Sequence, residues 1–341
     1  SDSARAGFVA AHLRALECSA RKFAGEDIGF VDEVKSYFDV DISPGDPGLY
    51  RDAHARLAEA LDVPGATGER LAEAYAAHRR SHEIPPGRVD DCVRAFSGAL
   101  RERVRATFPL PDSEIVEFEV VGDKPWSGFN YYLGDYRSKV AINTDLTQHM
   151  SNLPHLIAHE AYPGHHTEHC RKEEILVGGG QREQTIFLVN TPQCLMAEGL
   201  ADHALHAAIG ADWPSWAQEI YADLGLRFDA ERVSRVGKAT ADLLSVRQDA
   251  ALLLHDQGRG DDEAAAFLQR WLLATPERAR QMLRFVPSPL WRAYISTYVE
   301  GYRLLQTWLD VATDDDARLR RFGRLLDEPL IPASLRAELA R

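Results

Sequence analysis

The octapeptide His159-Glu160-Ala161-Tyr162-Pro163-Gly164-His165-His166 carries the residue types of a metal-activated hydrolysis. In the H-E-x-x-H pattern, two imidazoles stand one helical turn apart and a carboxylate lies beside the ion. Here the position four after His159 is Pro163, which offers no ligand atom. In a regular helix, His165 points about 120° away from His159, and His166 faces correctly but lies about 10 Å along the axis. Pro163 removes a backbone donor and Gly164 tolerates unusual dihedrals. The sequence therefore predicts a bulge over Ala161–Gly164 that returns one of the two histidines to His159. The spacing alone leaves both in contention.

Zinc takes four ligands in a tetrahedron, and a catalytic site keeps one position for water. His159 begins such a set, and Glu160 beside it is the candidate general base. A third ligand is expected from Met196-Ala197-Glu198-Gly199-Leu200-Ala201-Asp202-His203, read as a helix. Glu198 is the ligand candidate. Asp202, four residues on, shares its face and is placed to accept the ring N–H of a ligand histidine. Two histidines and a carboxylate also suit manganese or iron, so another divalent metal is an alternative to zinc.

Amide hydrolysis develops negative charge on oxygen, which needs a donor besides the ion. The stretch Tyr294-Ile295-Ser296-Thr297-Tyr298-Val299-Glu300-Gly301-Tyr302 is the candidate source. Asn143, on a short strand Val140–Asn143 able to pair with an extended substrate, is a candidate for backbone contact. Arg303 is a candidate clamp for a terminal carboxylate, and Tyr294 a further substrate contact.

These residues need a scaffold, and the pattern is overwhelmingly helical. Apolar stripes of helical period run through Phe8–Phe23, Leu49–Leu61, Leu71–His78 and Val89–Phe108. Pro44-Gly45-Asp46-Pro47, Pro64-Gly65 and Pro85-Pro86-Gly87 punctuate them. Glu114–Val121 alternates charge with β-formers and reads as a strand, as does Lys139–Asn143. The pair is expected to form a small antiparallel ribbon before the histidine helix, with the aromatic stretch Lys124–Tyr132 as a loop between them. Val177-Gly178-Gly179-Gly180 reads as a connector. Trp213–His255 is expected to hold one or two long helices, with later starts at Pro276, Pro287 and Pro289 and terminal helices around Trp291–Val311 and Asp316–Leu326. The expected architecture is one mainly α domain over residues 1–341: N-terminal helices to residue 110, then the ribbon and metal-site helices over 111–341.

The bulk properties narrow the function. The chain has 341 residues, 45% of them hydrophobic, and a net charge of −13. That balance argues against nucleic acid or an anionic membrane as partner and leaves a peptide or small-molecule substrate. Oligomeric state is not legible. Cys18, Cys92, Cys170 and Cys194 form no C-x-x-C pair and read as free thiols of a reducing compartment. With no apolar span and no leader-like start, the expectation is a cytoplasmic protein.

The pattern H-E-A-x-P-G-H-H resembles the bacterial proteins of domain-of-unknown-function family 885. That family looks related to the carboxypeptidase Taq and angiotensin-converting enzyme group of helical zinc metallopeptidases, which carry H-E-x-G-H. Matching Gly164-His165 to that Gly-His implies two inserted residues and His165 as the second ligand, beside His159 and Glu198, with Glu160 as base. Glu198-Gly199 matches the family's third-ligand segment. Tyr298-Val299-Glu300-Gly301 is similar to the Tyr-x-x-Gly segment of these peptidases, which implies Tyr298 as the oxyanion donor ahead of Tyr294. Val299 stands where family 885 usually carries a lysine, so no role passes to that position. The resemblance covers roughly Glu117 to the C-terminus, and the family's proteins are commonly longer at the N-terminal side. It implies a gluzincin-like metallohydrolase acting on peptide-like amides. A small-molecule biosynthetic enzyme using the same ligands, and a binding protein with a degenerate site, are the alternatives.

Overall fold

The structure is a computed structural model that describes residues 2–341, except 123, 125, 146 and 284–290. Ser1, Pro125 of the aromatic stretch and the expected helix starts at Pro287 and Pro289 lie outside the described residues.

The architecture is mainly α with one small mixed sheet. Five helices come first: α1 (Asp2–Phe23), α2 (Phe30–Phe38), α3 (Pro47–Ala60), α4 (Gly68–Ser81) and α5 (Val89–Thr107). In α5, Val89, Val93, Phe96, Leu100 and Val104 are buried at helical spacing, and Asp90 and Asp91 face the positive end of the helix dipole. The α3 N-terminus is set by Asp46, whose side chain accepts from the Gly48 N–H at 2.7 Å.

Strands β1 (Ile115–Val121), β2 (Gly128–Gly134) and β3 (Arg137–Asn143) follow in the spatial order β1-β3-β2. This corrects the expected ribbon. β1 and β3 do pair, but in parallel, from Ile115↔Arg137 to Val121↔Asn143. The aromatic stretch is not a loop: it supplies β2, antiparallel to β3. The β2–β3 turn is tight, with Asp135 at φ 51° and Tyr136 at φ 60°, the paired left-handed conformation of a two-residue hairpin. Glu173 steadies it, accepting from the Asp135 N–H at 3.1 Å and from the Tyr132 hydroxyl. As the central strand, β3 has partners on both edges, so Val140–Asn143 has no free edge for an extended substrate.

The remaining helices are α6 (Leu153–Glu160), α7 (His165–Lys172), α8 (Pro192–Ile209), α9 (Trp213–Asp223), α10 (Ala230–Thr240), α11 (Val246–His255), α12 (Asp261–Leu272), α13 (Pro276–Leu283), α14 (Tyr302–Asp310), α15 (Asp315–Asp327) and α16 (Pro332–Leu339). The one or two long helices expected over Trp213–His255 are thus three shorter ones; Gly225, at φ 69°, makes the first break. The Trp291–Val311 stretch is likewise divided: a π-helical turn over Thr297–Gly301 precedes α14. One apolar cluster runs from Ala15 to Leu335, with α8 buried over most of its length. Among the described residues, no helix is long and apolar enough to cross a membrane.

Candidate metal centre

α6 ends at Glu160 and α7 begins at His165, so the Ala161–Gly164 segment is a break between two helices and not a bulge within one. The Tyr162–Pro163 peptide is cis. The Gly164 N–H reaches the Ala158 carbonyl at 2.9 Å, closing a wide turn. Gly164 is required there by contact: a Cβ would lie 1.9 Å from the His159 carbonyl oxygen. That close approach folds the chain back so that the His159 and His165 rings meet edge to face, centroids 4.7 Å apart.

Glu198, from α8, completes the group. Ligand atoms of His159, His165 and Glu198 all lie within 4.8 Å of one another. His159 Nε2 is 3.3 Å from Glu198 Oε2, and His165 Nε2 is 3.6 Å from Glu198 Oε1. Asp202 Oδ1 accepts from His159 Nδ1 at 3.0 Å, which leaves Nε2 to face Glu198. Glu198 Oε2 is buried with no hydrogen-bond partner, even with an imidazole nitrogen that near. Burial opposes charge on both rings, but Asp202 and Glu198 hold His159 well above its ordinary pKa, and Glu168 and Glu198 raise His165 to about 9. Burial would push the Glu198 carboxyl up, yet the two imidazoles hold it well below the carboxylate range. A buried carboxylate oxygen left without a hydrogen bond beside two imidazole nitrogens is a donor set that a cation would satisfy. The three side chains therefore fit a divalent ion of the zinc kind.

His166 is not part of this group. It is fully buried, with Nδ1 2.8 Å from Ser138 Oγ and Nε2 3.0 Å from Glu114 Oε2. Glu114 is an anchor that the strand pattern concealed. It also accepts from Tyr162 at 2.7 Å, Arg101 at 2.7 Å and Arg105 at 2.9 Å, tying α5 to the turn and to α7.

Glu160 is buried beside the group, and burial first, then Glu198, raises its pKa against the pull of the two histidines. Its backbone carbonyl accepts from the Asn130 amide at 2.6 Å, and a Cβ on Gly128 would lie 3.3 Å from its Oε1. Thus β2, the strand missed in the sequence, lies along the general-base candidate.

Tyr294, not Tyr298, donates to Glu198 Oε1, at 2.7 Å. Tyr298 packs edge-on against it with ring centroids 5.4 Å apart. Burial, then the charge of Glu198, drives both phenols well above their ordinary pKa, so both stay protonated donors. The tyrosines reach α8 because Gly199 and Gly301 touch backbone to backbone: a Cβ on Gly199 would lie 2.7 Å from the Gly301 carbonyl.

Asn143 has another task than substrate contact. It is fully buried; its amide donates to the Lys124 and Trp126 carbonyls at 2.8 and 2.9 Å and accepts from the Asp145 N–H at 3.0 Å. Arg303 is exposed on α14 and pairs with Glu300 at 3.3 Å. Glu168 was overlooked in the sequence as an orienting group. It sits three residues after His165, 3.9 Å from its Nδ1, and takes Lys172 at 2.5 Å. The i, i+3 spacing was the available signal.

No family model matches the chain, and no curated protein matches it. Solved structures do. A Colwellia psychrerythraea protein provisionally described as a lipoprotein aligns with a TM-score of 0.62 at 17% identity, over 91% of this chain and 54% of its own. A Shewanella oneidensis protein, provisionally described as a lipoprotein of unknown function, aligns with a TM-score of 0.53 at 16% identity, over 95% and 62%. At these identities the likeness shows the fold alone. The chain spans between about half and three-fifths of the length of these neighbours.

Proposed function

We propose that this chain is a zinc-dependent hydrolase of peptide or peptide-like amide bonds, of the helical metallopeptidase type that its H-E-A-x-P-G-H-H pattern resembles. The observation that carries the reading is the buried Glu198 carboxylate, its Oε2 without a hydrogen bond, set against two imidazoles: His159 by Oε2 and His165 by Oε1, the first of them oriented by Asp202. An ion held by His159, His165 and Glu198 supplies Lewis acidity and activates water at neutral pH. The chain's own residues do the rest. Asp202 fixes the ring of His159. Glu160, its carboxyl raised by burial, takes a proton and returns it to the departing amine. Tyr298 remains protonated and donates to the carbonyl oxygen as negative charge develops there, while Tyr294 holds Glu198.

Cleavage of a peptide library by the zinc-loaded protein, read by mass spectrometry, tests the reading. Cleavage that disappears in Glu160→Gln with zinc still bound supports it. An intact library with loaded zinc contradicts the peptidase reading and favours a small-molecule substrate for the same ligands. We place the protein in the cytoplasm on its four buried free cysteines. The lipoprotein description of the solved neighbours favours a lipid-anchored protein instead, and cell fractionation separates the two.

A further inference from the structure

Two histidines and one carboxylate suit several divalent metals, and the metals differ in what they ask of the carboxylate. Four-coordinate zinc takes one oxygen and keeps a position for water. Manganese favours oxygen ligands in octahedral geometry, and a carboxylate that gives both oxygens moves a site in that direction. Glu198 is not symmetric in this respect. Its Oε1 accepts from the Tyr294 hydroxyl at 2.7 Å, whereas its Oε2 is buried and has no hydrogen bond. His159 Nε2 stands 3.3 Å from Oε2, and His165 Nε2 stands 3.6 Å from Oε1. The phenol proton draws electron density from Oε1 and covers one of its lone pairs, while Oε2 keeps both. The oxygen left for a cation is Oε2.

Both ends of the Tyr294–Glu198 bond are fixed by contacts outside the metal group. The Tyr294 N–H bonds to the Trp291 carbonyl at 3.0 Å, and the Tyr294 carbonyl accepts from the Thr297 hydroxyl at 2.6 Å. Two residues earlier, Arg292 is pinned to Glu33 at 2.6 Å and to the Ile28 carbonyl at 2.9 Å. The Tyr294 ring packs edge-on against Trp291 and Tyr298, with centroids 5.8 and 5.4 Å away. At the other end, Glu198 is flanked on α8 by the closest backbone approach to this segment. A Cβ on Gly199 would lie 2.7 Å from the Gly301 carbonyl, and a Cβ on Gly301 would lie 2.6 Å from the Leu195 carbonyl oxygen. Phenol and carboxylate meet because two backbones meet, so the carboxylate has little room to turn Oε1 away from the hydroxyl.

We propose that Tyr294 confines Glu198 to binding the ion through Oε2 alone, and thereby sets the metal preference of the centre: four-coordinate zinc over octahedral manganese. Tyr294 acts through a ligand, so it is a positioning residue. The inference rests on the ion-binding part of the reading above and not on the reaction. X-ray absorption of the zinc-loaded full chain, and visible absorption of its cobalt(II) form, test it on the wild type and on Tyr294→Phe. The wild type is expected to show one carboxylate oxygen on a four-coordinate zinc, and the intense visible bands of four-coordinate cobalt. In Tyr294→Phe, Oε1 joins the ion, the coordination number rises and the cobalt bands weaken. Its preference for zinc over manganese in competition titration falls by about tenfold, with circular dichroism unchanged. Tyr298→Phe, which leaves Oε1 bonded, is the control and keeps the wild-type spectra and preference. Two carboxylate oxygens on the wild-type zinc overturn the proposal, and that measurement decides alone if the variant does not fold. Unchanged coordination or preference in a folded Tyr294→Phe, loss of both metals from it, or an equal change in Tyr298→Phe also overturns it. Wild-type zinc held through both oxygens removes this inference and leaves the hydrolase. Zinc held through one oxygen, with no peptide cleaved, does the reverse.

Discussion

Asp202 determines which nitrogen of His159 faces Glu198, and a ligand histidine without such a partner turns and loses basicity. Asp202→Asn is therefore expected to weaken zinc affinity about 10- to 100-fold by competition titration, with the fold unchanged by circular dichroism. Glu160→Gln separates binding from chemistry: zinc content holds, while any hydrolysis falls by roughly 10²–10⁴, the usual worth of a positioned general base. Hydrolysis that persists in this variant contradicts the role. At this scale the sequence was partly legible. Glu198 and Asp202, four apart, share a helix face whatever the fold does. The choice between His165 and His166 was not legible, because it depends on Glu114 and Ser138, which arrive from distant parts of the chain to occupy both nitrogens of His166. The Tyr294–Glu198 bond was not legible for the same reason: the π-helical turn at Thr297–Gly301 sets which phenol meets Glu198, and no side-chain period announces it.

The turn between α6 and α7 is the element on which the centre depends. Gly164→Ala places a methyl group 1.9 Å from the His159 carbonyl oxygen, so the turn must open and carry His165 away. It is expected to lower both the melting temperature and zinc affinity. Gly98→Ala is the control: no atom lies within 4 Å of that Cβ, and in an exposed helix interior the change is expected to stabilise by about 0.5–1 kcal/mol. Glu114 holds the same turn from outside. Burial alone would raise its carboxyl, but His166, Tyr162, Arg101 and Arg105 hold it at about 2, against an ordinary 4.5. A carboxyl depressed in the folded state stabilises above its unfolded pKa and loses that contribution as pH falls through the folded one. Acid unfolding of the wild type should thus lose on the order of 3 kcal/mol between roughly pH 4.5 and 2 that Glu114→Gln does not lose. Identical acid limbs in the two proteins would remove Glu114 from this role. The sheet shows what local pattern omits. Both strands of the expected ribbon, β1 and β3, were legible in the sequence, but their parallel pairing follows from β2 being the hairpin partner of β3. Its Gly128, Asn130 and Tyr132 read as an aromatic loop because they pack on α6 and α7 instead of on an apolar layer.

Across the whole molecule, the helical class was written in the apolar stripes, while the joints were not. Glu33 is one such joint. It is buried on α2 and takes both Lys22 of α1 and Arg292, two residues before Tyr294, so the N-terminal helices brace the tyrosine segment from the far side. No spacing rule connects residues so far apart in sequence. The centre likewise joins α6, α7 and α8 through ligands from all three, so an ion that binds only the folded chain should raise its melting temperature in a concentration-dependent way. The central claim is that His159, His165 and Glu198 hold that ion. Metal analysis by inductively coupled plasma mass spectrometry, on the purified wild type and on Glu198→Ala after dialysis against zinc, tests it most directly. The expected result is about one zinc per chain in the wild type and a small fraction of that in the variant. Equal zinc in both proteins, or none bound stoichiometrically by the wild type, would contradict it.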